Sequence, residues 1–246
     1  MIVRDRGGDW QVVLQTDHAD LSAGFARVWA ERGPRHDSLT LATERHDDGW
    51  AVWEQAPKVD SETGKPVDFL EVNVPAHLAF YRACIVAVTE QDQYAGLMIS
   101  MHGTGIYRQR YGRDPGLPRS WAPGVQELVD AFVAEQEAGQ EERVAQLGVP
   151  DDERWRDYEL LQLYDRLSLY FCMRDVEAGE AAELHGYALE PIAPWHIRMT
   201  PFPFAASPVR LTLLRRVVPK RAWRSDEFRS EFFDTAPERD PIVIEG

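Results

Sequence analysis

The sequence has little of what holds small secreted proteins together or anchors proteins in a bilayer. Only two of its 246 residues, Cys84 and Cys172, are cysteines, and both lie in apolar helical patterns. This usage argues against a disulfide framework and suits two reduced core thiols. No run of about 18 apolar residues occurs, and the first residues lack an apolar core followed by a cleavage site. We therefore expect a cytoplasmic protein with no membrane partner.

Positive charge is also scarce. The formal net charge is −14, and only 3 Lys accompany 24 Arg. Such an acidic chain cannot assemble a broad basic surface, so we expect no nucleic-acid partner. A Gly-rich phosphate loop, a nucleophile elbow and internal repeats are absent from the sequence as well. The composition, 44% hydrophobic and 28% charged, is that of a globular protein long enough for one well-filled domain.

Hydrophobic periodicity predicts a mainly α-helical fold. A β-hairpin is expected over residues 1–15 and a helical core over residues 16–175. Beyond residue 186 the pattern changes to strands interrupted by prolines, with one short helix. We expect these strands to pair with the N-terminal hairpin in a small sheet beside the helices. Residues 1–246 would then form a single domain, with both termini in a β-containing annex.

The most informative stretch is residues 39–53. Its apolar residues recur at steps of three and four, which predicts one continuous helix with His46 in the apolar stripe. An ionisable side chain is costly there unless it is paired or bound to a metal. Asp47 lies about 100° round the same helix, so both side chains could reach one ion. Imidazole plus carboxylate is a common ligand set for Zn, Mn or Fe. The alternative is a histidine satisfied by a neighbour, beside solvated carboxylates.

Other ionisable residues share this unusual placement. His18 lies on the apolar face of the helix that follows the hairpin, and Asp165 lies in the middle of an apolar helix. A buried carboxylate needs a cation or several hydrogen bonds, and the adjacent Arg166 points away from it on a helix. His77 comes at the start of a long apolar helix, and His102 ends a buried helix predicted over 94–102.

A Gly/Pro-rich loop is predicted over residues 108–124. A loop of this length within a domain is often functional. It carries Arg108, Arg110 and Arg113, whose guanidinium groups could bind a phosphate bidentately. In so Arg-rich a chain, the alternative is that they are ordinary solvated side chains.

Taken in order, His18, His46-Asp47 and Asp165 give the pattern H…HD…D. Over about residues 16–175 the chain resembles the HD superfamily of helical metal-dependent phosphohydrolases. The segment His46-Asp47-Asp48-Gly49 is similar to its H-D-x-G motif, and residues 163–168 are similar to its last Asp-bearing helix. The chain more closely resembles a bacterial family of domains of unknown function, at residues 15–19, 46–50 and 100–102.

The resemblance implies an HD-like helical bundle with one or two divalent ions, which could be Mn, Fe, Zn or Mg. The implied ligands of the first ion are His18, His46, Asp47 and Asp165. The two-metal members of the superfamily have further histidines between the HD pair and the last Asp, where this chain has His77 and His102. His102 could instead contact a substrate.

At two positions the chain departs from the HD pattern. Trp50 stands where many HD hydrolases have a lysine, and Asp48 replaces an apolar residue. The carboxylate of Asp48 is our candidate catalytic base for a water molecule, although it could orient a ligating histidine or be a solvated charge.

These features support a leading hypothesis and two alternatives. The leading hypothesis is a metal-dependent hydrolase of a small phosphate ester, with a nucleotide as one option. The first alternative holds a di-iron pair on the same ligands for oxygen chemistry. The second is an inactive HD-like module that binds a ligand or partner, with Tyr111 and Trp121 at the partner site.

Overall fold

The computed structural model describes residues 1–110, 112–113 and 121–246, and the site depends mainly on its helices. The eight α-helices of the described chain are α1 (Gln15–Val28), α2 (His36–Arg45), α3 (Ala51–Glu54), α4 (Val74–Gln91), α5 (Gln93–Arg108), α6 (Pro123–Leu147), α7 (Asp151–Met173) and α8 (Ser225–Asp234). Short 3-10 helices at Asp48–Trp50 and Phe69–Glu71 precede α3 and α4. None of these described helices is both long and apolar enough to cross a bilayer.

The strands form one sheet rather than a minor annex. They are β1 (Ile2–Asp5), β2 (Asp9–Val13), β3 (Ala182–Leu184), β4 (Tyr187–Ala193), β5 (His196–Thr200), β6 (Val209–Pro219) and β7 (Glu238–Glu245). Their order in the sheet is β1-β2-β6-β7-β5-β4-β3. Only β5 and β7 pair in parallel, whereas the other neighbours are antiparallel.

This sheet corrects the predicted fold class. About 53% of the chain is helical, but the strands make a curled, mixed, seven-stranded sheet, so an HD-like helical bundle with a small sheet is wrong. The predicted pairing between the hairpin and the C-terminal strands is confirmed, since Gln11 of β2 lies opposite Val217 of β6. What periodicity missed is β3 and most of β4, which contain few buried residues: Leu189 is the only buried residue of β4.

Side-chain alternation along β2 shows how the sheet joins the helices. Trp10 and Val12 point to one face, where they pack in a small cluster with Phe228 of α8. Val13 points to the other face and belongs to the main hydrophobic core. The side chain of Gln11 on that same face donates a hydrogen bond to the carbonyl oxygen of Cys172 in α7 at 3.2 Å. Helices and sheet therefore share a core, and the sheet is not a detachable annex.

Helix α5 is the most deeply buried helix of those that position the site. Its N-cap is Asp92, whose carboxylate accepts hydrogen bonds from the backbone N–H groups of Tyr94 and Ala95, both at 2.9 Å. It continues past His102 and ends at Gln109 in the left-handed region. The prediction that this helix ends at His102 is therefore wrong, and His102 lies in its interior. The buried residues of α5 include Leu97, Ile99 and Met101.

Candidate metal centre

Three separated segments bring histidine and aspartate side chains to one point. His18 comes from α1, His46 and Asp47 follow α2, and Asp165 comes from the middle of α7. Nε2 of His18 lies 2.9 Å from Oδ1 of Asp165, and Nε2 of His46 lies 3.7 Å from the same oxygen. One ligand atom from each of His18, His46 and Asp165 falls within 4.8 Å of the others. The convergence expected from the sequence is therefore present.

A break in the helix presents His46 and Asp47 together. The continuous helix predicted over residues 39–53 is wrong, because α2 ends at Arg45 and a 3-10 helix begins at Asp48. His46 keeps helical backbone angles, but Asp47 has φ −111° and ψ 13° and leaves the helical path. Oδ2 of Asp47 can thereby approach to 3.5 Å from Nε2 of His46.

Gly49 allows this turn to pack closely on α4. A Cβ atom at this position would overlap the backbone carbonyl of Phe80, which belongs to α4 and cannot swing aside like a side chain. The glycine of the H-D-x-G segment is thus required by a close backbone approach, since no other residue lacks a Cβ.

Hydrogen bonding fixes the tautomer of His46 in the form that suits a metal. Its Nδ1 lies 2.7 Å from the carbonyl oxygen of Thr43. A carbonyl can only accept, so Nδ1 carries the proton and the neutral ring has its lone pair on Nε2. Among the described residues this Nε2 has no hydrogen-bond partner, and the side chain is only 1% exposed. A backbone acceptor behind the ring and a free nitrogen in front are typical of a metal-ligating histidine.

His18 is oriented in the same way by Ser168. The Ser168 hydroxyl donates its proton to the backbone carbonyl of His18 at 2.9 Å. Its oxygen, 2.7 Å from Nδ1 of His18, therefore accepts a hydrogen bond from that nitrogen. Nε2 is therefore the ring nitrogen that faces Asp165, to which it donates a hydrogen bond at 2.9 Å, and it is the nitrogen that a metal could bind in place of that proton. Ser168 is fully buried with its proton committed, so the Ser168–His18–Asp165 chain does not supply a serine nucleophile.

The charges of the cluster are strongly coupled. Burial alone would lower the pKa of His46, but the negative charges of Asp47 and Asp165 outweigh it and raise that pKa to about 9. Burial opposes ionisation of Asp165 too, yet the hydrogen bond from His18 and the nearby imidazole of His46 hold its pKa well below the usual range. The buried carboxylate of Asp47 and the partly buried one of Asp165 thus gather positive charge around themselves, in the way a cation site does.

The residues present fit a divalent ion. Zn–N and metal–carboxylate bonds of about 2.0–2.2 Å place two ligand atoms of one ion about 3–4 Å apart. Four separations join a carboxylate oxygen, Oδ1 of Asp165 or Oδ2 of Asp47, to Nε2 of His18 or His46. They range from 2.9 to 4.0 Å and so lie in or near this range. Nitrogen and carboxylate oxygen are also the donors that Zn, Mn and Fe prefer.

The two further predicted histidines lie at different distances from this cluster. The ring of His102 is 5.1 Å from that of His46, between centroids, and its Nδ1 has no hydrogen-bond partner among the described residues. Burial lowers the pKa of His102 to about 4. His77 lies farther out: the ring of Tyr81 is in contact with both histidines, and Nδ1 of His77 is 2.6 Å from the hydroxyl oxygen of Tyr107.

The candidate catalytic base is not brought to the cluster. The carboxylate of Asp48 forms an ion pair with Arg45 and is 29% exposed. It is not among the described residues that line the cavity beside the cluster.

The predicted phosphate-binding arginines lie elsewhere too. Arg108 pairs with Glu137 at 2.6 Å, and Arg113 pairs with Asp152 at 2.8 Å. Arg110 stacks on Trp155. The structure therefore does not join these three side chains to the histidine–aspartate cluster. Of the two aromatic residues considered for a partner site, Tyr111 lies outside the described residues and Trp121 lines the cavity beside the cluster.

Sequence reasoning missed the residues that orient the ligands. Thr43 and Ser168 look like ordinary small polar residues, and Tyr81 looks like one more apolar residue of α4. Helical spacing held one usable signal: Ser168 comes three residues after Asp165, so the two share a face of α7. The acceptor role of Thr43 is carried by its backbone carbonyl, which no residue type reveals.

Comparison with known proteins identifies the family of the chain. No curated protein and no solved structure matches the chain significantly. A family model described as a protein of unknown function, DUF3891, matches residues 1–220. This stretch includes the whole cluster and most of the sheet. The chain belongs to the DUF3891 family.

Proposed function

We propose that this protein is a metal-dependent hydrolase of a small phosphate ester. One observation carries the proposal: two buried imidazoles have their Nδ1 protons committed to protein acceptors, so that both Nε2 atoms face Asp165 and are the nitrogens available to a metal. The order of the ligands along the chain, H…HD…D, supports the hydrolase reading through its resemblance to HD phosphohydrolases. The buried reduced thiols of Cys84 and Cys172 support a cytosolic location.

The residues of the cluster have distinct tasks in this proposal. His18, His46, Asp47 and Asp165 would hold the ion. A bound divalent ion lowers the pKa of a water molecule and polarises a phosphoryl oxygen. The chain itself fixes the ligand rings through Thr43 and Ser168 and keeps the cluster on packed helices, which limits reorganisation. His102 would contact the substrate or a second ion, and His77, whose Nδ1 is 2.6 Å from the Tyr107 hydroxyl oxygen, lines the same cavity.

Metal content is the first test. The wild-type protein, purified without chelators and then incubated with Mn²⁺, Fe²⁺ or Zn²⁺, should retain about one or two ions per chain after gel filtration. Asp165→Asn keeps the shape of the side chain but removes its charge, and should lose the metal. Asp48→Asn is the matched control, because its carboxylate pairs with Arg45 outside the cluster. If Asp165→Asn retains as much metal as the wild type, the proposed site is wrong.

The reaction is tested on the metal-loaded protein. Release of inorganic phosphate from phosphate monoesters, and of alcohol from a phosphodiester, should require metal and disappear in Asp165→Asn. A protein that binds no metal and cleaves none of these esters would fit the second alternative, an inactive module that binds a ligand or partner.

An iron oxygenase is the second candidate, for one specific reason. The tightest group of ligand atoms consists of two histidines and one carboxylate, His18, His46 and Asp165. This set is the one used by non-haem Fe(II) oxygenases, and a pair of irons is the form expected from HD-like proteins. Protein expressed with iron and purified in air separates the two functions. Bound iron with a visible absorption band, together with absent esterase activity, would favour oxygen chemistry.

A further inference from the structure

A cavity of about 280 Å³ lies against the metal cluster. Its polar side is lined by Asp47, Asp165, Gln15 and three histidines, His18, His77 and His102. Its volume is close to the lower end of pockets that hold small ligands, about 300–1,000 Å³. When the reacting group of a substrate lies at the cluster, the rest of the molecule, which we call its body, must lie in this cavity. The remaining walls of the cavity therefore determine which bodies fit.

Those other walls are mostly apolar, and they come from separate elements. They include Phe69 and Leu70 of the second 3-10 helix, Val74 of α4, Ile106 of α5, Trp121, and Leu169 of α7. Elements distant in sequence thus each contribute an apolar side chain to the same space. Such walls favour an apolar group, because burial of non-polar surface is what they gain from a ligand.

Two of these apolar side chains are exposed to solvent. Leu70 is 72% exposed and Ile106 is 40% exposed. Single exposed apolar residues are common, but these two lie at the rim of one cavity and face the same space. A ligand with an apolar body would cover both of them, whereas a hydroxylated body would not gain from the contact.

The charge of the lining argues in the same direction. Among the described lining residues none is lysine or arginine, while Asp47 and Asp165 are acidic. Nucleotides and sugar diphosphates carry phosphate charges away from the reacting group, and proteins bind such charges with Arg or Lys. The described walls offer these distal charges no cation. A substrate whose only charged group is the one at the metal cluster matches the lining better.

We propose that the substrate is a phosphate monoester of a compact aromatic alcohol, an inference that rests on the proposed phosphohydrolase function. The ring would lie among the apolar walls and the phosphate at the cluster. In the reaction, the oxygen of one water molecule bonds to phosphorus and the ester P–O bond breaks. The leaving oxyanion takes up one proton of that water, so the products are the aromatic hydroxyl compound and inorganic phosphate.

The test compares three monoesters on the Mn²⁺-loaded full chain: 1-naphthyl phosphate, glycerol phosphate and AMP. We expect kcat/KM for 1-naphthyl phosphate to exceed the values for the other two at least tenfold. A preference for AMP or glycerol phosphate, or equal values, would overturn the proposed substrate class while leaving the hydrolase function intact. Because aryl esters have a better leaving group, a binding comparison must accompany the kinetics.

Binding is measured with phosphonates, which cannot be hydrolysed. Phenylphosphonate and methylphosphonate carry the same charged group and differ in the apolar body, so leaving-group chemistry plays no part. Phenylphosphonate should bind the Mn²⁺-loaded protein at least tenfold more tightly, as followed by calorimetry. If no ester is hydrolysed but this preference is found, the proposed reaction fails and the apolar pocket stands. Equal binding, or no binding of either phosphonate, would overturn the proposed substrate class.

A variant at the rim and a control variant elsewhere test where the apolar body of the ligand binds. Leu70→Asp places a charge at the cavity rim, on a side chain exposed enough for the fold to tolerate it. It should reduce the preference for phenylphosphonate at least fivefold. Leu128→Asp changes another exposed leucine, on α6, which is not among the described residues that line this cavity, and it should leave the preference unchanged. Equal preferences in Leu70→Asp and in the wild type would show that the body does not lie against this rim.

Discussion

Asp47 and Asp48 are neighbours in the chain, but their carboxylates lie in opposite surroundings. The side chain of Asp47 is 7% exposed, and its described ion-pair partners are both histidines, His18 and His46. The side chain of Asp48 is 29% exposed and pairs with Arg45. An arginine keeps its charge and its proton, whereas a histidine beside Asp47 can give up a proton and offer Nε2 to a metal ion instead. The buried acid therefore belongs to the proposed metal site, and the partly exposed acid belongs to an ion pair at the surface.

Removal of a ligand should give the largest effect. His46→Ala deletes an imidazole whose free Nε2 faces Asp165, so we expect the affinity for the ion to fall more than the 10–100-fold that is typical when a supporting residue is lost. Metal at 100 times its Kd should stabilise the wild type by about 2.7 kcal/mol, and a chelator should remove that gain. Thermal melts with and without metal check both points. A variant that metal stabilises as much as the wild type would contradict the assignment of His46.

Loss of an orienting residue should cost less. Ser168→Ala removes the oxygen that accepts a hydrogen bond from Nδ1 of His18, and should reduce metal affinity about 10–100-fold. Ser22 is the matched control: it is also fully buried and donates to the same His18 carbonyl at 3.0 Å, but no bond joins it to the imidazole ring. Metal titrations should therefore separate Ser168→Ala from Ser22→Ala. Equal affinities in the two variants would show that the serine does not orient the ring.

A substitution at Gly49 tests the close packing of the turn that contains Asp47 and Asp48 against α4. Gly49→Ala forces a Cβ against the backbone carbonyl of Phe80, so either the turn or α4 must shift, at a cost of about 1–3 kcal/mol in the free energy of unfolding. Gly8→Ala, where nothing lies within 4 Å of the added atom, should be close to neutral. Denaturant unfolding of the two variants makes the comparison. Similar stabilities would mean that the close approach at Gly49 is not needed.

The smallest effect is expected when a surface ion pair is removed. Arg108→Ala removes a half-exposed ion pair with Glu137, which should change the free energy of unfolding by no more than about 1 kcal/mol. Metal affinity should be unchanged, because Arg108 is not among the described residues that line the cavity of the cluster. Any tenfold change in metal affinity, measured by titration, would place this arginine in the site after all.

The sequence by itself determined which residues are expensive to bury. Helical periodicity placed His18, His46 and Asp165 on apolar faces, and burial of an ionisable group demands a partner whatever the fold. Periodicity also identified the hairpin and the strands around Ile197 and Val209. It missed β3 and most of β4, because half-exposed strands with charged residues and a proline carry little alternation.

The tertiary structure alone decided how those residues meet. The break after Arg45 turns Asp47 toward His46, and the hydroxyl of Ser168, which donates to the His18 carbonyl, accepts the proton of Nδ1 of His18. Such outcomes depend on a backbone angle and on an atom 150 residues away. The extent of the sheet and the separate place of Asp48 and the three arginines were decided in the same way. Local pattern fixes the cost of burying a charge, but only packing between distant segments determines what compensates it.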